Sequence, residues 1–208
     1  MSRSWRAKAT LEKADRKGTP DYAAVLNHLG VAELARGRAE VALPHHATAL
    51  DVIEKVLGKE HQEYGTTLFH IAEAHLATGK VKDALAEDLR ALAIVEKAAG
   101  PDSPSAAQID VGLGQARMRL GPPEAAVPPL EHAVKIHEAH RADPRDLADA
   151  RFALARALWA TGKEKDRARK LAREARATFD GPAWFKERLA VVDAWLADID
   201  GRVTRAVP

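Results

Sequence analysis

The sequence predicts an all-α solenoid of antiparallel helix hairpins, and three observations carry that expectation. Four loop glycines, Gly37, Gly79, Gly121 and Gly162, fall 42, 42 and 41 residues apart. Seven positions before each stands a small residue, Gly30, Ala72, Gly114 and Ala155, preceded in turn by Leu29, Ile71, Leu113 and Leu154. Between the glycines, apolar and alanine positions recur every three or four residues, without β-branched alternation. A fixed period of this size marks stacked units, each burying its apolar face against its neighbours.

Residues 7–14 lie 42 positions ahead of residues 49–56, and the Glu12-Lys13 and Glu54-Lys55 pairs coincide. Residues 1–17 therefore read as the second helix of an incomplete repeat, as in an array cut from, or evolved from, a longer one. Trp5 and Leu11 must then pack on the next helix or offer an apolar face for self-association. Gly18-Thr19-Pro20-Asp21 carries stop and start chemistry. The first full hairpin follows, with a helix near 21–36 striped by Val25, Leu26, Leu29, Ala32 and Leu34. Arg36-Gly37-Arg38 breaks it, and the second helix, near 39–57, carries Val41, Ala42, Ala49, Leu50, Ile53 and Leu57.

Similar punctuation at Gly58 to His61, Gly100 to Pro104 and Ala142 to Pro144 places the later first helices near 63–78, 105–119 and 145–161. Their second helices fall near 81–99, 123–140 and 165–180, so that four hairpins span 21–180. Ala49, Ala91 and Ala133 stand twelve positions after their glycines and Ala175 arrives one residue late after Gly162, which predicts an insertion in the turn between Gly162 and Asp166. Gly30 and Gly114 disfavour helix and need a packing reason, supplied if hairpin helices cross there closely. Phe185, Leu189, Val192, Leu196 and Ile199 stripe a last helix over 182–200, opposite Lys186, Glu187, Arg188 and Asp193, and cap the array.

Composition narrows the function. The 208 residues include no cysteine, which removes disulfides, thiol nucleophiles and thiolate metal sites. No apolar run approaches the ~20 residues of a membrane span, and the basic start lacks the apolar core of a secretion signal. A cytoplasmic setting is expected. Lysine and arginine number 32 against 30 acidic residues, a balance that argues against a dedicated nucleic-acid binder. No carboxylate pair, nucleophile elbow or Ser/His/Asp arrangement stands out, so the chain reads as a binder and not an enzyme, with no cofactor expected.

Hairpins with small residues at their crossings resemble the tetratricopeptide repeat. Counted from Ala23, the family's small eighth, twentieth and twenty-seventh positions match Gly30, Ala42 and Ala49. The 42-residue period, with Leu26-Asn27-His28-Leu29-Gly30 in the first helix and residues 91–102 closing the second, is similar to kinesin-light-chain repeats. Residues 146–160 and 192–196 also resemble the repeat tails of bacterial serine/threonine protein kinases. Such a chain would be the regulatory tail or a fragment of a kinase polypeptide whose catalytic part lies elsewhere. Neither His-Arg-Asp nor Asp-Phe-Gly occurs here.

The resemblance implies a right-handed superhelix whose first helices line a concave face that binds a protein or peptide. In the register, groove positions read Asn27, Phe69, Val111, Phe152, then His28, His70, Gly112, Ala153. Further along come Val31, Glu73, Gln115, Arg156, then Ala35, Ala77, Arg119, Ala160. The resemblance assigns Asn27 to the ligand backbone. Arg119 and Arg156 offer planar forks to ligand carboxylates, Phe69 and Phe152 offer apolar anchors, and His70, Glu73 and Gln115 complete a mixed surface. His137 and His140 have one-face spacing but lack a second pair to complete a metal site. The basic run Lys163, Lys165, Arg167, Arg169, Lys170, Arg173 and Arg176 is interrupted by Glu164, Asp166 and Glu174. It reads as a solvated convex face and not a nucleic-acid site.

Overall fold

The computed structural model describes residues 3–141, 143–181 and 185–206; the side chain of Trp5 and the helix start expected at Pro182 fall outside them. Among these residues the chain forms α1 (Arg3–Lys13), then α2 (Pro20–Leu34) with α3 (Ala39–Val56), and α4 (Gln62–Ala77) with α5 (Val81–Ala99). Next come α6 (Pro104–Leu120) with α7 (Val127–Ala139), α8 (Pro144–Thr161) with α9 (Lys165–Phe179), and α10 (Lys186–Ala206). The fold is an all-α solenoid of helical repeats.

Helix starts follow local chemistry. Thr19 Oγ1 accepts from the Tyr22 amide, Ser103 Oγ from Ala106 and Asp143 Oδ1 from Arg145, at 3.4, 3.2 and 2.8 Å. Pro20, Pro104 and Pro144 follow these caps, where an amide hydrogen has no helical partner to lose. The four loop glycines are not conformationally equivalent. Gly37, Gly79 and Gly162 take left-handed φ values of 73°, 81° and 75°, whereas Gly121 is extended at −148°. Pro122 and Pro123 follow it, and a 3-10 turn over Pro123–Ala126 delays α7. Pro128 and Pro129 then sit in the first turn of α7, where proline is tolerated.

The small residues lie at tight crossings. A Cβ on Gly30 would run into the His46 ring and one on Gly114 into Leu130, while Ala72 and Ala155 are buried. In each hairpin the two helices pack along each other, and α2, α4 and α6 each also touch the first helix of the next hairpin. Among the described residues, second helices of neighbouring hairpins do not meet to the same degree. The first helices therefore form the inner layer and the second helices the outer one. The core is a succession of clusters along the array, the first with Tyr22, Leu26, Leu68, Val95 and Leu113, the next with Leu130 and Leu154, and the last with Phe179 and Ile199. Leu11 of α1 packs on the near end, and the Tyr22 hydroxyl donates to Glu12 at 2.9 Å.

Candidate functional site

On the inner wall between α2 and α4, two residues expected at the surface are interior. Asn27 is 7% exposed and Phe69 8%. The Asn27 amide is spent within the protein: Nδ2 donates to Thr67 Oγ1 at 2.8 Å and Oδ1 lies 3.0 Å from His46 Nδ1. Thr67 gives its own hydrogen to the Glu63 carbonyl, so it accepts from Asn27, and His46 Nδ1 must carry a proton toward Oδ1. Burial holds His46 neutral by lowering its pKa to about 3, with His70 and His45 adding to the effect. Asn27 orders a buried network here and does not face the groove. Phe69 packs into the core beneath it, because the inner layer is closed at these two positions by neighbouring helices. His70 stays half-buried, stacked on His46 at 5.3 Å, with Nδ1 3.1 Å from exposed Glu73.

Between α4 and α6 the same register holds a different chemistry. Asp88 of α5 stands where α3 has His46 and α7 has Leu130. It is 2% exposed, and its Oδ1 has no hydrogen-bond partner. Burial, reinforced by Glu73 and Glu87, pushes its carboxyl up to about 8.

Between α6 and α8 the wall opens into a cleft of about 210 Å3. Met118, Leu130, Phe152 and Ala153 make its apolar floor, and Gln115, Arg119, Asp149 and Arg156 its polar rim. The structure thus brings together Gln115, Arg119, Phe152 and Arg156, while His70 and Glu73 lie one helix away. Phe152 is held edge-on against Trp195 at 5.7 Å. Arg119 Nη1 donates to the Leu76 carbonyl at 2.6 Å, which orients the guanidinium and leaves its charge unmatched. Arg156 is exposed and makes no hydrogen bond or ion pair among the described residues. Asp149, the one carboxylate of the rim, already accepts from Arg188 Nε at 2.9 and 3.1 Å, with Arg145 at 3.7 Å. Burial pushes its carboxyl up against the pull of both arginines. The cleft therefore offers two unmatched cations above an apolar floor.

Asp149, Met118 and Leu130 escaped the sequence reading. Asp149 was within reach, since Asp149, Phe152 and Arg156 share one helix face at spacings of three and four; Leu130 enters from a second helix and carried no such signal. On α9, Arg167 pairs with Glu131 and Glu164, Arg169 with Asp166 and Asp200, and Arg176 with Asp180 and Asp193. These cations mainly stitch adjacent helices. His137 is 2% exposed, and the described residues contain no group of three metal-ligating side chains.

The sequence profile of the tetratricopeptide repeat matches residues 21–97 and 66–139, together more than half of the chain. The chain belongs to the tetratricopeptide repeat family. No curated protein matches in sequence. Among solved structures, a putative kinesin light chain with nearly identical TPR-like repeats from Podospora anserina is 26% identical, with a TM-score of 0.62 over 84% of this chain and 82% of that one. BtubC (BKLC) from P. vanneervenii is 20% identical, with a TM-score of 0.64, covering 77% of this chain. A Rap protein complexed with Competence and Sporulation Factor is 17% identical, with a TM-score of 0.73 over 90% of this chain. This tetratricopeptide repeat chain spans 64% of the BtubC chain and 51% of the Rap chain. No helix among its described residues is long and apolar enough to cross a membrane.

Proposed function

We propose that this chain is a non-catalytic scaffold that captures a peptide segment of a partner protein, in the cytoplasm, along its inner face. The α6–α8 cleft is the main anchor, taking a ligand carboxylate at Arg156 and Arg119 and an adjacent apolar side chain on Phe152, Leu130 and Met118. One observation carries this reading: Arg156 is unpaired beside an apolar floor whose only carboxylate, Asp149, is already satisfied. Charge-assisted, bidentate pairing is the strongest interaction such a rim can offer. Family membership supports a binding role, and a Rap protein of similar fold has been solved with a bound factor. The same groove would serve a kinase polypeptide as its interaction tail, the second setting suggested by residues 146–160 and 192–196.

Panning a random peptide display library on the chain tests this. Enriched peptides should carry an acidic residue beside an apolar one, and replacing Glu73, Gln115 and Arg156 together should abolish their capture at unchanged helical content. Exposed substitutions of this kind alter stability by about 0.5 kcal/mol or less each. Replacing Arg169, Lys170 and Arg173 on α9 should leave capture intact. Capture lost only with the α9 set would overturn the reading in favour of an acidic partner on the outer face.

A further inference from the structure

The three equivalent junctions along the inner wall are filled in three ways. At the first, His46 is roofed by the stacked ring of His70, and at the third, Leu130 meets Ala153 beneath the cleft. At the second, the roofing position is Gly112. A Cβ there would stand 2.9 Å from Asp88 Oδ2 and 3.2 Å from the edge of Phe69, so any larger residue would push the carboxyl back from the wall. Glycine in the middle of α6 disfavours the helix, and here its effect is to let a carboxyl rise to the inner layer. Among the described residues no counter-charge acts on that carboxyl. The charged groups acting on it are Glu73 from α4 and Glu87 from its own helix, both acidic. Glu73 in turn faces His70, and Glu87 lies 2.8 Å from His75. Oδ1 of Asp88 is enclosed and has no partner. A buried, unsatisfied carboxyl is costly unless a hydrogen-bond donor or a cation reaches it.

We propose that Asp88, reached over Gly112 and flanked by Glu73 and the Phe69 ring, is a recognition subsite for a ligand ammonium or guanidinium group, such as a lysine or arginine side chain. The two carboxyls suit an organic cation, which can bring its donors to them and lay its apolar stem against the Phe69 edge. Gly112 lies one helical turn before Gln115 and shares its face of α6, with the subsite on the α4 side of that face and the cleft on the α8 side. A peptide laid across α6 would then place a basic residue on the α4 side and an acidic one on the α8 side. Only this orientation rests on the groove reading above; the cation pairing stands by itself.

The test uses n-butylguanidinium and n-butylammonium as probes, with n-butanol as the neutral control. Amide resonances of Phe69 and Gly112 in the isotope-labelled chain should shift saturably with both cations and not with butanol. Affinity should strengthen from pH 6 to 9 as Asp88 gives up its proton. It should fall about tenfold in Asp88→Asn, the scale of one lost hydrogen bond to a charged group. Gly112→Ala, which displaces the carboxyl without changing charge, should weaken binding as well, and Glu73→Gln should do so to a smaller extent. Arg156→Ala should leave it unchanged. Equal cation affinity in Asp88→Asn, or shifts that never saturate, would overturn the proposal even if Gly112→Ala failed to fold. Cation binding at Asp88 without peptide enrichment would sink the groove reading and spare the subsite; the reverse would do the opposite.

Discussion

At the scale of single residues, the buried polar groups separate into those with partners and those with an unpartnered atom, Asp88 Oδ1 and the ring nitrogens His46 Nε2 and His137 Nδ1 among them. Asn27, Thr67 and His46 close a chain in which each donor between them has an acceptor. Asp88 ends in nothing, and this fixes how stability varies with pH. Its folded pKa, about 8, lies above the unfolded carboxylate value of ~3.9. The folded chain thus holds a proton that the unfolded chain releases. The associated stability is complete below the unfolded value and is lost as pH rises toward 8. Denaturant unfolding of the parent and of Asp88→Asn, from pH 4 to 8.5, should show the parent losing on the order of a few kcal/mol relative to the variant. Coincident pH profiles would mean that Asp88 ionises as freely in the fold as outside it.

At the scale of the element, each hairpin is set by what faces the small residue at its crossing. Gly30 accommodates an imidazole and Gly114 a leucine side chain. The helix penalty of the two glycines is offset by packing that no larger residue permits. Gly30→Ala should therefore destabilise the chain by ~1–3 kcal/mol despite raising helix propensity. Because the three atoms nearest the added methyl all belong to the His46 ring, His46→Ala in the same chain should recover much of that loss. A double-mutant cycle in thermal unfolding checks this, and additive effects of the two changes would refute it.

At the scale of the whole molecule, stability is the sum of helix interfaces and not of one central core. α1 packs chiefly on α2, whereas α4, α5 and α6 are each held between neighbouring helices. Native-state hydrogen exchange should find the amides of α1 exchanging fastest and those of α4 to α6 slowest. Uniform protection along the array would show that the terminal helix is as firmly held as the interior. The inner wall also differs along its length: a buried polar network between α2 and α4, an unmatched carboxyl between α4 and α6, and an open cationic cleft between α6 and α8. Binding should accordingly concentrate on α6 and its neighbours.

The sequence by itself determined the repeat, because the period of the loop glycines and of Gly30, Ala72, Gly114 and Ala155 is imposed by stacking and is written in one dimension. It also determined the starts of α2, α6 and α8, since Thr19-Pro20, Ser103-Pro104 and Asp143-Pro144 act within four residues of themselves. It named Gln115, Arg119, Phe152 and Arg156, which share one wall through that same period. What it could not show is which groove positions stay open. Asn27 and Phe69 hold groove positions in the register, yet both are buried, because exposure there depends on side chains more than 15 residues away, such as His46 and Thr67 for Asn27. Asp88 was silent for the same reason. An aspartate in a charged helix is unremarkable until tertiary packing buries it against Gly112 with Oδ1 unpartnered among the described residues.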